Sequence, residues 1–91
     1  MIVKVKAFAN LKEFFGGEMN IVIKEETVLK DLLSSTYLPP RAVEAILDNT
    51  GNINPSMLIL KNGRNIWASE NLLTKLKDGD EVSIFPPLCG G

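Results

Sequence analysis

Turn signals constrain this chain more than any other feature. Gly16-Gly17, Leu38-Pro39-Pro40, Asn62-Gly63, Lys77-Asp78-Gly79-Asp80 and Pro86-Pro87 interrupt its apolar runs at short intervals. Glycine and asparagine accept positive φ, and proline brings no N–H to a helix or a strand ladder, so these sites fall between regular elements. The pieces left between them are short. The 91 residues therefore make one domain with one modest core.

Periodicity assigns the pieces. Ile2 to Phe8 alternates, with Val3, Val5 and Ala7 on one side and Lys4 and Lys6 on the other, which is the period of a half-buried strand. Asn10 to Phe15 has room for about one helical turn, stopped by Gly16-Gly17. Met19 to Ile23 then returns as an antiparallel second strand. Thr27 is read as the N-cap of a helix carrying Val28, Leu29, Leu32 and Leu33 at helical spacing, with Asp31 suited to its positive end. That helix is expected to pack across the sheet and to stop at Leu38-Pro39-Pro40. Arg41 to Asp48 reads as a second short helix with Val43, Ile46 and Leu47 on one side, and 49–55 as a loop.

Met57 to Lys61 is an apolar strand, and Asn62-Gly63 is the strongest hairpin signal in the chain. Arg64 to Ala68 is the expected returning strand, with Trp67 packed on one side. Leu72, Leu73 and Leu76 suggest an irregular or 3₁₀ stretch. Glu81 to Phe85 is the last strand, with Val82 and Ile84 inward, and Pro86-Pro87 ends it. Hairpin, helix, further strands and a tail amount to an α+β layout, a mixed sheet with helices on one face. Periodicity leaves the choice among small α+β topologies open. No repeat or linker divides the chain, so 1–85 is read as the folded domain and 86–91 as an extended, flexible C-terminal tail.

Composition narrows the chemistry. There is no histidine, which removes Ser-His-Asp and Cys-His sites, the imidazole general base and His-containing zinc sites. The single cysteine, Cys89, forms neither an internal disulfide nor an iron–sulfur site. Gly16-Gly17 is followed by neither phosphate-loop pattern. Glu25-Glu26 and Asp78-Gly-Asp80-Glu81 lie beside turns, where solvated charge is the ordinary state. An autonomous enzyme is hard to assemble from this inventory. The formal charge is −1 with Lys and Arg spread along the chain, which argues against nucleic acid as a partner. No apolar run reaches the roughly 18–20 residues that span a bilayer, and Met1-Ile-Val-Lys-Val-Lys is not a signal peptide's apolar block, so no membrane association and a cytoplasmic location are expected.

The tail concentrates what is left. Pro86-Pro87 favours polyproline II, a stiff spacer rising roughly 3 Å per residue. Gly90-Gly91 lacks Cβ atoms and can thread a channel too narrow for other residues. The carboxylate at Gly91 is inert until a leaving group such as AMP is attached, after which a thiol, persulfide or amine can attack the acyl carbon. Cys89 reads as a small side chain in an exposed tail, or as a thiol able to intercept the activated carboxyl. No cation adjoins it to raise its thiolate fraction.

Three segments carry a family resemblance: Leu60-Lys-Asn-Gly-Arg-Asn-Ile66, Leu76-Lys-Asp-Gly-Asp-Glu-Val82 and Ile84-Phe-Pro-Pro-Leu-Cys-Gly-Gly91. Together with Val5-Lys-Ala-Phe-Ala-Asn-Leu-Lys-Glu13 they resemble the MoaD/ThiS ubiquitin-like sulfur carriers. The Phe-Pro-Pro tail is closer to the small subunit of molybdopterin synthase and to archaeal small modifiers than to the thiamine carrier. The likeness is strongest from Leu58 to Gly91 and weakest from Tyr37 to Pro55, and Cys89 departs from the small inert residue expected there. The resemblance implies a β-grasp fold with the last strand in mid-sheet, parallel to the first. It implies that an E1-like adenylating enzyme, using ATP and magnesium, adenylates Gly91, and that sulfur transfer then gives a thiocarboxylate. This would serve the large subunit of molybdopterin synthase. The same terminus could instead form isopeptide bonds with target-protein lysines or supply a thiamine pathway. This chain would bind no cofactor or metal itself. Gly91 would accept AMP and sulfur, and Gly90 would keep the tail thin.

A docking face follows from parity. If Lys4, Lys6 and Lys61 face solvent, then Ile2, Met57, Ile59, Ser83 and Phe85 share that exposed face, while Val3, Val5, Leu58, Leu60, Val82 and Ile84 form the core. The expected partner contacts are Phe85, Pro86, Pro87, Leu88, Ile59 and Met57, with the 41–56 segment as a potential cover.

Overall fold

The computed structural model describes residues 1–87; the tail expectations for Leu88, Cys89, Gly90 and Gly91 lie outside the described residues. Alternation in the first segment builds β1 (Ile2–Ala7), whose Val3, Val5 and Ala7 are buried. A 3₁₀ turn (Ala9–Leu11) and one turn of helix, α1 (Lys12–Phe15), follow. Gly16 ends α1 with φ 75°, a left-handed cap that a side chain would strain. The chain returns as β2 (Glu18–Val22), antiparallel to β1 with Val3 opposite Ile21.

The next helix is shorter than its apolar spacing predicts. α2 spans only Leu29–Leu32, and Val28, not Thr27, precedes it. The Thr27 hydroxyl donates to the Lys24 carbonyl at 2.7 Å and closes the preceding turn. Beyond α2 the Ser34 hydroxyl donates to the Asp31 carbonyl at 2.8 Å, the kind of local side-chain bond that competes with helix continuation. Leu33 leaves helical geometry at φ −82°, ψ 57° yet stays buried, so the apolar spacing marks buried positions beyond the end of the helix. α3 runs Pro40–Ile46, with proline in its first turn, where a missing N–H costs nothing.

β3 (Leu58–Lys61) and the two-residue β4 (Arg64–Asn65) form the hairpin around Asn62-Gly63. The expected strand to Ala68 gives way at Asn65, whose side-chain oxygen accepts from the Trp67 N–H at 2.9 Å and starts a 3₁₀ turn, Ile66–Ala68. Ile66 therefore turns inward and Trp67 stays 48% exposed, the reverse of the expected packing. A second 3₁₀ turn, Asn71–Leu73, precedes the last strand, β5 (Glu81–Phe85).

The sheet order is β2-β1-β5-β3-β4, with β5 parallel to β1 and antiparallel to β3. This is the ubiquitin-like β-grasp with the last strand in the middle, as the resemblance implied. Val3, Val5, Ala7, Ile21, Ile59, Val82 and Ile84 form the inner face of the sheet. They share one buried cluster with Leu29, Leu32, Leu33, Leu38, Ile46, Ile53 and Leu76 from the helices and loops. Leu29 N–H to the Thr74 carbonyl (2.9 Å) and Leu76 N–H to the Thr27 carbonyl (3.1 Å) tie the crossover to the 74–76 segment. Among the described residues, no helix is long and apolar enough to cross a membrane.

Candidate functional site at the root of the tail

β5 is gripped on both sides. Val5 lies opposite Val82 and Ala7 opposite Ile84 on one flank, and Leu58 lies opposite Phe85 on the other. Just past β1, the Phe8 N–H donates to the Ile84 carbonyl at 3.2 Å. A strand paired along both edges is the least able to fray, so the tail starts from a fixed point. Phe85 is the last strand residue, and Pro86 and Pro87 carry the chain off the sheet because neither can donate to a ladder.

Strand parity sends Phe85 to the outer face of the sheet, opposite the helices. There its ring stacks on Phe8, with centroids 4.2 Å apart and planes inclined by 15°. Leu58, 40% exposed, is the register partner of Phe85, and Leu60 lies opposite Ser83. Lys6 and Glu81 form an ion pair at 3.3 Å on the same face. At the far end of that face Ile2 and Val22 are register partners, and both are exposed. The outer face thus has an aromatic and aliphatic end beside the tail, a charged middle and a second apolar end.

This corrects the expected docking set. Met57 and Ile59 do not share the exposed face with Phe85; Ile59 is fully buried opposite Ile84, and Met57 is buried with it. Leu58 and Leu60, expected in the core, point outward instead. The cause is Lys61, taken as a marker of the solvent side. It lies opposite buried Val82 at the end of β3, and its ammonium reaches the rim to donate to the Lys75 carbonyl at 3.3 Å. A long cationic side chain escapes from an inward position at a strand end, so its charge says nothing about parity there. Phe85, Ser83 and Ile2 do stand on the outer side, as expected.

Sequence reasoning missed Phe8: its place one residue past an alternating strand puts it in step with Lys4 and Lys6 on the outer face, but its contact with Phe85 follows only from the β1–β5 register. Met57 keeps a different relation to the tail. With Asn10, Leu11, Phe14, Ala45, Asn54, Pro86 and Pro87 it lines a cleft of about 210 Å³ on the inner side of the tail's root. One wall of that cleft follows Ala9, which adopts φ 53°, a left-handed conformation that costs a non-glycine residue about 1–2 kcal/mol. The 41–56 segment therefore contributes Ala45 and Asn54 to the inner side, while α3 packs on the helical layer and leaves the outer face open.

The site offers little chemistry of its own. Among the described residues, no group of three His, Cys, Asp or Glu side chains stands close enough to hold a metal ion. The Asp48 carboxyl is held below its ordinary range, first by the Thr50 hydroxyl at 2.6 Å and then by backbone N–H groups of the same turn. It lies on the loop after α3 and takes no part in the tail's root. What the arrangement supplies is a rigid exit point between an apolar outer face and a small cleft.

Known proteins are similar to this chain in sequence and fold. Residues 5–91 match the ThiS family. A candidate sulfur carrier protein of Archaeoglobus fulgidus is 33% identical over 91 residues, with both chains covered in full. Small archaeal modifier protein 1 of Methanosarcina acetivorans, whose solution structure is known, is 37% identical with a TM-score of 0.78, over 99% of this chain and 96% of that one. A candidate molybdopterin converting factor, subunit 1, of Pyrococcus furiosus is 28% identical with a TM-score of 0.74, over 97% of this chain and 99% of that one.

Proposed function

Because the chain belongs to the ThiS family of ubiquitin-like sulfur carriers and modifiers, we propose that it acts through the carboxylate of Gly91, which a partner enzyme activates and charges with sulfur. A Gly91 carboxylate oxygen attacks the α-phosphorus of ATP, held with magnesium by an E1-like adenylating enzyme, and pyrophosphate leaves. Hydrosulfide delivered by the sulfur donor then attacks the acyl carbon and AMP leaves, giving a thiocarboxylate. The carrier contributes no catalytic side chain to either step. Its part is to present a thin chain end, with Gly90 clearing the channel and Pro86-Pro87 holding the end away from the body.

The observation that carries this reading is the tail's root: a central strand, paired on both edges, ends at Phe85 beside an apolar outer face and passes straight into two prolines. A partner needs both parts, a fixed surface to grip and a projecting end to receive. Phe8, Phe85, Leu58 and Leu60 form the proposed grip, with Pro86, Pro87 and Leu88 continuing it along the tail. Buried Ile59 and Met57 support it from beneath.

The sulfur acceptor proposed is the pterin precursor of molybdenum cofactor, reached when the tail enters the large subunit of molybdopterin synthase. The Phe-Pro-Pro-Leu-Cys-Gly-Gly ending and the likeness to the Pyrococcus furiosus protein favour it. A second reading, isopeptide linkage of Gly91 to lysines of target proteins, is favoured by the likeness to the Methanosarcina acetivorans modifier. Intact-mass measurement after incubation with ATP, a cognate activating enzyme and a sulfur donor separates the two. Exchange of one oxygen for one sulfur supports the carrier, and linkage to a second protein without that exchange supports the modifier. An unchanged mass with a competent enzyme counts against both.

A further inference from the structure

A second surface lies away from the tail's root, at the end of the sheet where β5 begins. Residues 61–77 carry Lys61, Arg64, Lys75 and Lys77 against the single carboxylate of Glu70, a local charge of +3 in a chain whose total is −1. The rest of the molecule therefore carries −4. The fold gathers three of these four cations. Lys61, Lys75 and Lys77 line one groove of about 200 Å³ with Ser69, Glu70 and Thr74. Lys61 is held against its wall by the bond to the Lys75 carbonyl. Among the described residues the one ion pair is Lys6 with Glu81; Glu70 shares the groove and the Asp80 carboxylate accepts from the Lys77 backbone N–H at 2.7 Å and from the Asn62 side chain, but neither forms an ion pair with these four cations.

Close in the chain to the groove-lining residues are two large apolar side chains with little cover. Trp67 is 48% exposed and Leu73 is 63% exposed, on two consecutive 3₁₀ turns that lead into the groove-lining residues Ser69, Glu70 and Thr74. Trp67 is not left out by a loose chain. Its backbone N–H donates to the Asn65 side-chain oxygen, the same turn is closed by Ser69 N–H to the Ile66 carbonyl at 3.0 Å, and Ile66 beside it is buried. A tryptophan presented on an ordered backbone loses little entropy on contact and is the side chain most enriched at interface anchors.

We propose that this groove is a docking site for an acidic segment of a partner protein that also carries an apolar side chain. Carboxylates of the segment pair with Lys61, Lys75 and Lys77, and its apolar side chain covers Trp67 or Leu73. Charge complementarity selects this occupant: unpaired cations ask for anions, and exposed indole asks for apolar contact. Nucleic acid fits less well, because phosphate backbones need an extended cationic stripe and this groove contains Glu70 within a molecule otherwise charged −4. The site is independent of the chemistry proposed for Gly91 and of the Phe8–Phe85 face, so the two surfaces can be occupied together.

Trp67 is the only tryptophan in the chain and reports directly on the site. The probe is a short synthetic peptide of glutamates around a central leucine pair, titrated into the full chain and followed by Trp67 emission. A saturable shift to shorter wavelength is expected, weakened about tenfold in the Lys75→Glu/Lys77→Glu variant and weakened by added salt. The same peptide with lysines replacing glutamates should give no shift. Amide chemical-shift mapping on the unmodified chain keeps the test sound if the variant folds poorly, and changes are expected within 61–77. The proposal is overturned by no saturable change, by equal binding to the charge-reversed variant, by shifts clustered at Phe8, Leu58 and Phe85, or by tighter binding of an oligouridylate than of the peptide.

Discussion

Strands β1 and β3 both combine apolar residues with lysine but were not equally readable. In β1 the cations Lys4 and Lys6 sit at mid-strand, where an inward ammonium would have no route to water, so their positions mark the solvent side faithfully. In β3 the only cation is at the last residue, where the sheet's rim is one side-chain length away. Lys61 points inward at its Cα and outward at its ammonium. Charge is a reliable guide to parity inside a strand and a poor one at its end.

Paired substitutions on adjacent β3 residues test that contrast with the largest expected effect. Ile59→Ala removes a fully buried side chain opposite Ile84 and should lower unfolding free energy by about 2–5 kcal/mol in denaturant titrations. Leu58→Ala, one residue away on the exposed side, should cost under about 1 kcal/mol. Equal losses at the two positions would mean that the register of β3 against β5 is wrong.

Binding should reverse the order. Leu58→Asp places a charge beside the Phe8–Phe85 stack and should weaken association with the activating enzyme about tenfold or more, with the unfolding midpoint little changed. Ile59→Val should leave that association unaltered. Titration calorimetry of both variants checks this, and a larger effect at position 59 would return the docking face to the opposite parity.

The same contrast explains what the sequence made legible. The β1 and β5 strands, their inward residues, the Asn62-Gly63 turn and the Pro-Pro exit all follow from local rules that tertiary packing did not override. α2 and the end of β4 did not follow, because short polar side chains redirected the backbone: Ser34 bonds to the Asp31 carbonyl, and Asn65 caps a 3₁₀ turn at Trp67. Apolar spacing predicted which residues of 29–33 are buried and overstated how much of that segment is helical. At the site, Phe85, Pro86 and Pro87 were legible from position alone. Phe8 needed the register of two strands far apart in sequence.

A smaller effect is expected where the backbone is strained. Ala9 begins the turn that walls the cleft at the tail's root, and Ala9→Gly relieves its positive φ. The relief is partly offset by glycine's greater freedom in the unfolded chain, leaving a gain of about 0.5–1 kcal/mol in thermal or denaturant unfolding. A loss instead would show that the Ala9 methyl makes a contact worth more than the strain.

The smallest effect concerns Asp48. Its folded-state pKa is lowered by the Thr50 hydroxyl and neighbouring N–H groups, so the carboxylate form stabilises the 48–52 turn above the ordinary aspartate range. That contribution is lost as pH falls through the depressed folded pKa. Amide shifts of Thr50 and Asn52 should move together in acid, and Asp48→Asn should abolish the transition without disturbing the Phe8 and Phe85 signals. Coupled movement at Phe85 would tie this loop to the tail's root.

The division between a fixed grip and a reactive end is tested most directly by exchange of labelled pyrophosphate into ATP, catalysed by the activating enzyme with the full chain or with a chain lacking Gly90 and Gly91. The shortened chain should still bind through its outer face, competing with the full chain, while supporting no exchange above the enzyme alone. Undiminished exchange by the shortened chain would contradict the account, because the acyl group being activated would then lie somewhere other than Gly91.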